Sequence, residues 1–172
     1  EDCLSNIKIG EVMNTISEDP QWPLKEKEVE IKHHKEQAVV MIAFPGLSIN
    51  SDERATISVI EEIAGGMDGL LFTRIREELG LAYYVGMSQM VGYSSGSILF
   101  YAGTNSESVL KVKNELNLII ESLVKEKIGE DVLTRAKNAL IGKYALSKQS
   151  LSARSQSMAL NLLYGLGERY DD

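Results

Sequence analysis

Histidine is almost missing from this sequence: 172 residues contain two, His33 and His34, side by side. Successive side chains of an extended strand point to opposite faces, so this pair cannot chelate one metal ion. A surface turn is the ordinary setting for such a pair. A zinc helix of the H-x-x-E-H kind needs two histidines four residues apart, and the sequence has none. A serine or cysteine triad has little support either, because no glycine-framed serine is present. Cysteine occurs once, as Cys3, which excludes an intramolecular disulfide framework and suits an incidental thiol. Apolar runs fall well short of the roughly 20 residues of a membrane-spanning helix. Positive charge is in the minority, with 18 Lys and Arg against 25 Asp and Glu. Nucleic-acid binding depends on clustered cations, so a net charge of −7 disfavours that class. Net charge alone favours solubility and locates no acidic surface.

The start, Glu1-Asp2-Cys3-Leu4, lacks the basic and apolar regions of a secretory signal. It also lacks an initiating Met, and the sequence reads as a piece of a longer protein. A soluble cytoplasmic or periplasmic setting stays open. The glycines at 65, 66 and 69 form neither a dinucleotide-binding nor a Walker pattern. Their plain role is to stop one helix and start the next.

What is present is the composition of an ordinary globular domain. Hydrophobic residues make up 44% and charged residues 25%, so one domain can build its own core without staples. Residues 1–26, with Pro20, Trp22 and Pro23, read as a linker or the end of a preceding segment; residues 27–172 read as the domain. Val29 and Ile31 alternate with charge over Lys27 to His33, which predicts a half-buried strand turning at His34-Lys35-Glu36. The run from Ala38 to Phe44 predicts a more buried strand ended by Pro45-Gly46. Asn50 or Ser51 can cap a helix whose apolar stripe is Ala55, Val59, Ile60, Ile63 and Ala64. Asp68 can cap a second helix carrying Leu71, Ile75 and Leu79 every four residues, with Gly80 as its stop. Two strands, about 81–90 and 97–104, suggest a hairpin. A long helix over about 106–127 shows Val109, Val112, Leu116, Ile119, Ile120 and Leu123 at helical spacing. Further helices span about 131–148 and 151–164. Arg135, Lys137 and Lys143 read as a solvated helix side, and Met87, Met90 and Met158 as core fillers. The order predicts an α+β fold in two layers, a largely antiparallel sheet with helices on one face.

Two residues stand out chemically. Arg74 has Glu78 one turn ahead, the spacing of a modest surface ion pair. Arg76 has no acid three or four positions away on either side and is free to act elsewhere. Successive α-helical residues turn by roughly 100°, so Arg74 and Arg76 diverge. Tyr83 stands where the first hairpin strand begins. Alternation groups Tyr83 with Leu81, Val85 and Met87, and Tyr84 with Ala82, Gly86 and Ser88, a pattern that favours Tyr84 for the open face. A tyrosine in that setting also serves as an ordinary core or cross-strand residue.

Several segments together carry a family resemblance: QAVVMIAFPG at 37–46, GGMDGLLFTRIREELGLAYYV at 65–85, YAGT at 101–104, RAKNALIG at 135–142 and LLYG at 162–165. They resemble the C-terminal, metal-free half-domain of the pitrilysin/insulinase family of zinc metallopeptidases, which includes processing peptidases and their bacterial relatives. The resemblance covers most of the chain from about Val29 onward. It implies a processing-peptidase-like half-domain whose other sheet face lines a chamber, acidic in the family and suited to basic peptides. It implies that zinc sits in the N-terminal half of the parent and that this chain alone holds no metal and is no enzyme. The partners implied are that zinc-bearing half or a separate subunit, together with a peptide substrate. Arg76 and Tyr83 match the family's arginine and tyrosine, which hold substrate beside the zinc site of the other half. The match favours Tyr83 over Tyr84. One departure is plain: the family's Ser-Ser-Arg before the Leu-Phe pair is Asp68-Gly69-Leu70 here. Family half-domains continue past the position of Asp172 into a helix and a strand. A chain without them is expected to self-associate, with a homodimer as one form, through unpaired backbone and an uncovered face. The alternative role is a metal-free scaffold that binds protein without peptide turnover.

Overall fold

The structure is a computed structural model that describes Gly10, residues 25–33 and 35–167, and Tyr170. The expectations for Cys3, for Trp22 and its neighbours and for His34 lie outside the described residues. Three strands form one antiparallel sheet in the order β1-β3-β2, with β1 Gln37–Gly46, β2 Tyr84–Val91 and β3 Gly96–Asn105. Between β1 and β2 lie α1 Arg54–Gly65 and a short wide helix, Phe72–Glu78, with π-type hydrogen bonding. After β3 come a 3-10 turn, Ser106–Ser108, then α2 Val109–Lys125, α3 Glu130–Ser147 and α4 Leu151–Leu163.

The pleat sorts the sheet residues. Val40 pairs with Ala102, which pairs with Val85, and Ile42 pairs with Phe100, which pairs with Met87. These rows face the helices. Leu71, Ile75, Val112 and Leu116 meet them from above and are completely buried. Burying a side chain of this size contributes about 1.5–3 kcal/mol. All six stripe residues of the long helix either lie in this core or pack on it. Asn105 ends β3 and accepts a hydrogen bond from the Ser108 backbone N–H at 2.8 Å, which caps the 3-10 turn leading into α2. The expected α+β arrangement is therefore present, with α3 packed behind α1 as an outer partial layer.

Six local expectations are corrected. Residues 27–33 form no strand: Val29 and Ile31 stay exposed and pair with no neighbour among the described residues, while Glu28 makes an ion pair with Lys113 of α2 at 2.7 Å. The alternation was real, but without a partner strand an extended segment is not a ladder. In β1 the apolar run covers both faces, yet only Val40 is buried, because helices cover one face alone. At α1 the N-cap is Glu53 with no side-chain cap bond; the Ser51 hydroxyl accepts from Glu53 N–H and so closes the preceding turn instead. Within that helix Ile63 and Ala64 are buried, whereas Ala55 is exposed. Leu79, the C-cap just beyond the wide helix, is exposed, and Leu81 and Ala82 pack on the core instead. Met87 fills the core as expected, but Met90 and Met158 are exposed.

Candidate functional site

The segment from the wide helix to β2 is held at several points. Arg74 donates to Glu78 at 2.9 Å and to Glu115 of α2 at 3.0 Å, which fastens the helix to its neighbour. These hydrogen bonds, Glu78 first, push the Arg74 guanidinium further toward its charged form. The Leu79 N–H reaches back to the Arg74 carbonyl and the Leu81 N–H to the Ile75 carbonyl. Gly80 closes the helix with φ of 60°, a left-handed conformation that a side chain would strain. Beyond it, the buried Thr104 hydroxyl donates to the Leu81 carbonyl and the Tyr83 N–H donates to the Gly103 carbonyl at 2.8 Å. The chain from 79 to 83 is thus clamped between the helix and β3.

That clamp presents the two residues singled out from the sequence. Arg76 lies in the last helical turn, exposed, with its guanidinium 4.9 Å from the centre of the Phe72 ring. It has no carboxylate partner among the described residues. Its position at a helix C-terminus suits a cation. Tyr83 precedes the first residue of β2 and is 55% exposed. No hydrogen bond joins Arg76 to Tyr83; they flank the Gly80 turn on opposite sides.

Tyr84, the neighbour, lies on the open face. It pairs with Gly103, and its ring occupies the place where a Gly103 side chain would begin. Tyr101 does the same over Gly86, and the two rings lie 6.3 Å apart. The alternation reading of Tyr84 therefore holds. Tyr101 and the two glycines escaped the sequence reading, although a glycine two positions after Tyr84 was the available signal. A second set it missed lies on the helix side: Gln89 donates to the Ser58 hydroxyl at 2.7 Å beside Glu61. Glu61 has its pKa raised by burial, while hydrogen bonds with Gln89 oppose the shift. Among the described residues no group of three or more His, Cys, Asp or Glu could hold a metal ion.

The described residues thus form an α+β half-domain with helices on one face of the sheet. Residues 2–140 match the model of the peptidase M16 inactive domain, and the chain belongs to that family. An uncharacterized zinc protease of Rickettsia felis is 30% identical over 128 residues, 73% of this chain and 31% of that protein. The uncharacterized zinc protease YmxG of Bacillus subtilis is 27% identical over 143 residues, 82% of this chain and 35% of its own length. The chain thus spans about a third of these relatives. Among solved structures, a Helicobacter pylori protease shares the fold with TM-score 0.71 at 17% identity, over 78% of this chain and 33% of that one. The peptidase M16 inactive domain of Pseudomonas fluorescens has TM-score 0.61 at 22% identity, over 64% of this chain and 27% of that one.

Proposed function

We propose that this domain completes the active site of a zinc metalloendopeptidase whose metal is held by another half, in the same protein or in a partner subunit. Arg76 holds the substrate backbone, and the Tyr83 phenol donates to the peptide carbonyl oxygen on which charge develops; zinc in the other half would supply the activated water. A fixed donor aimed at developing charge acts most strongly in the transition state. The observation that carries the reading is the contrast between two arginines: Arg74 is held by two carboxylates, while Arg76, two residues on, has none among the described residues. Residue spacing supports it too, because both residues match the family motif. A chain from 27 onward serves as the domain, with the segment before it as linker.

The test uses the full-length parent or the reconstituted pair of halves. Tyr83→Phe is expected to lower kcat by about 10²–10³-fold with folding near wild type. Arg76→Ala is expected to weaken binding and turnover together, whereas Arg74→Ala leaves turnover within a few fold, as an exposed pair allows. A crippling Tyr84→Phe beside a silent Tyr83→Phe would move the donor by one residue. If every one of these substitutions is silent in an enzyme that cleaves peptides, the domain is scaffold only.

A further inference from the structure

Thr104 is a polar residue in an apolar place. Phe100, Ala102 and Thr104 alternate along β3, and all three are buried, Thr104 completely. Valine has nearly the same shape, suits a strand as well and brings no polar atom, so packing alone gives no reason for a hydroxyl there. A hydroxyl taken out of water needs a partner, and this one donates to the carbonyl of Leu81. Leu81 is already tied to the wide helix, its N–H donating to the Ile75 carbonyl at 2.9 Å. One residue back along β3, the Gly103 carbonyl accepts from the Tyr83 N–H at 2.8 Å. Residues 81 and 83 are thus fastened on either side of Ala82, just beyond Gly80 with its φ of 60°. The Tyr83 ring itself is 55% exposed and has no hydrogen-bond or ring-stacking partner among the described residues. The phenol therefore takes its aim from the backbone beneath it.

We propose that Thr104 is a positioning residue for Tyr83: its buried hydroxyl, by holding the Leu81 carbonyl, fixes the path of the chain out of the Gly80 turn and with it the place of the phenol. This rests on the reading of Tyr83 as the donor to developing negative charge, and it adds the residue on which that donor depends. Without the hydroxyl the peptide unit between Leu81 and Ala82 loses its bond to β3 and is free to rotate. A displacement of about 1 Å at a reacting centre can cost on the order of 100-fold in rate. Substrate held through Arg76 does not feel that displacement before the charge develops, so the loss falls on kcat and spares KM.

The test uses the full-length parent or the reconstituted pair of halves. Thr104→Val, which removes the donor and keeps the shape, is expected to lower kcat about 10-fold or more with KM within about twofold. Thr104→Ser keeps the donor, loses a methyl group, and is expected to hold kcat within about threefold of wild type. A residue that only packs would instead rank the variants by stability, which urea unfolding measures. Wild-type kcat in folded Thr104→Val, or equal losses in Thr104→Val and Thr104→Ser, overturns the proposal. With Tyr83→Phe already in place, Thr104→Val is expected to lower kcat no further; additive losses would put the action of Thr104 elsewhere. If Thr104→Val does not fold, Thr104→Cys and Thr104→Ser carry the comparison, two side chains of one shape with a weak and a strong donor. Thr104→Cys must then lower kcat where Thr104→Ser does not, and equal values count against the proposal. Fluorine NMR of a fluorotyrosine placed at position 83 separates the two claims, with Thr104→Val expected to shift or broaden its resonance and Thr104→Ser to restore it. A silent Tyr83→Phe beside a resonance that Thr104→Val moves sinks the oxyanion role alone. A crippled Tyr83→Phe beside an unmoved resonance sinks the positioning role alone.

Discussion

At the scale of single residues, tyrosine and glycine act as cross-strand partners. Gly103→Ala places a methyl group where the Tyr84 ring lies, so ring or strand must shift. Overpacking of this kind costs about 1–3 kcal/mol. Adding Tyr84→Ala to Gly103→Ala should recover part of that loss, and a double-mutant cycle by urea unfolding would measure the coupling. Simple additivity would show that the ring does not occupy that space. Glu61 gives a second residue-scale expectation. Burial raises its pKa above the usual 4.5, partly offset by hydrogen bonds with Gln89 and the charge of Lys143. A carboxyl raised on folding binds its proton more tightly when folded. Its contribution is full below the unfolded value and is lost as pH rises through the folded one. Glu61→Gln should therefore raise Tm at pH 7, by an amount that partial exposure keeps small, with the gain vanishing below pH 4.5. A lower Tm at pH 7 would mean that the ionised form is the better-satisfied one.

At the scale of elements, legibility followed burial. The stripe of α2 was readable because six apolar residues at helical spacing face one core, and they all reach it. The hairpin and the Gly80 stop were readable from turn chemistry, and Gly80 does adopt positive φ. What escaped was decided by distant partners. Nothing in residues 27–33 says that no strand will pair with them, and apolar spacing of four cannot separate an α-helix from the wider helix found over Phe72–Glu78. The ion pair of Arg74 with Glu115 spans 41 residues and has no local signature. In the candidate site, the lack of a helical acid beside Arg76 was legible from its neighbours at three and four positions, whereas the clamp through Thr104 and Gly103 was not. Leu116→Ala and Leu110→Ala compare two positions of α2 directly. Leu116 is fully buried and its truncation should cost about 2–5 kcal/mol, while exposed Leu110 should cost less than about 0.5 kcal/mol. Similar losses by chemical denaturation would contradict the assigned core face.

At the scale of the whole molecule, one sheet face is packed, and the described residues leave the other uncovered. The chain commits its helices to the first, and α4 with the end of α3 leaves Ile141, Leu146, Leu151 and Leu163 exposed as well. Among the described residues no helix is long and apolar enough to cross a membrane. Zinc chemistry belongs, on this account, to another half, and this domain brings Arg76 and Tyr83 to it. The most direct measurement of that claim is complementation with separately purified halves. Peptide hydrolysis is followed for the zinc-bearing half alone, for this chain alone, and for the two mixed. The account predicts negligible turnover for either alone and chelator-sensitive turnover for the mixture that saturates near one chain per zinc. Full turnover by the zinc-bearing half without this chain, or zinc-dependent turnover by this chain by itself, would contradict it.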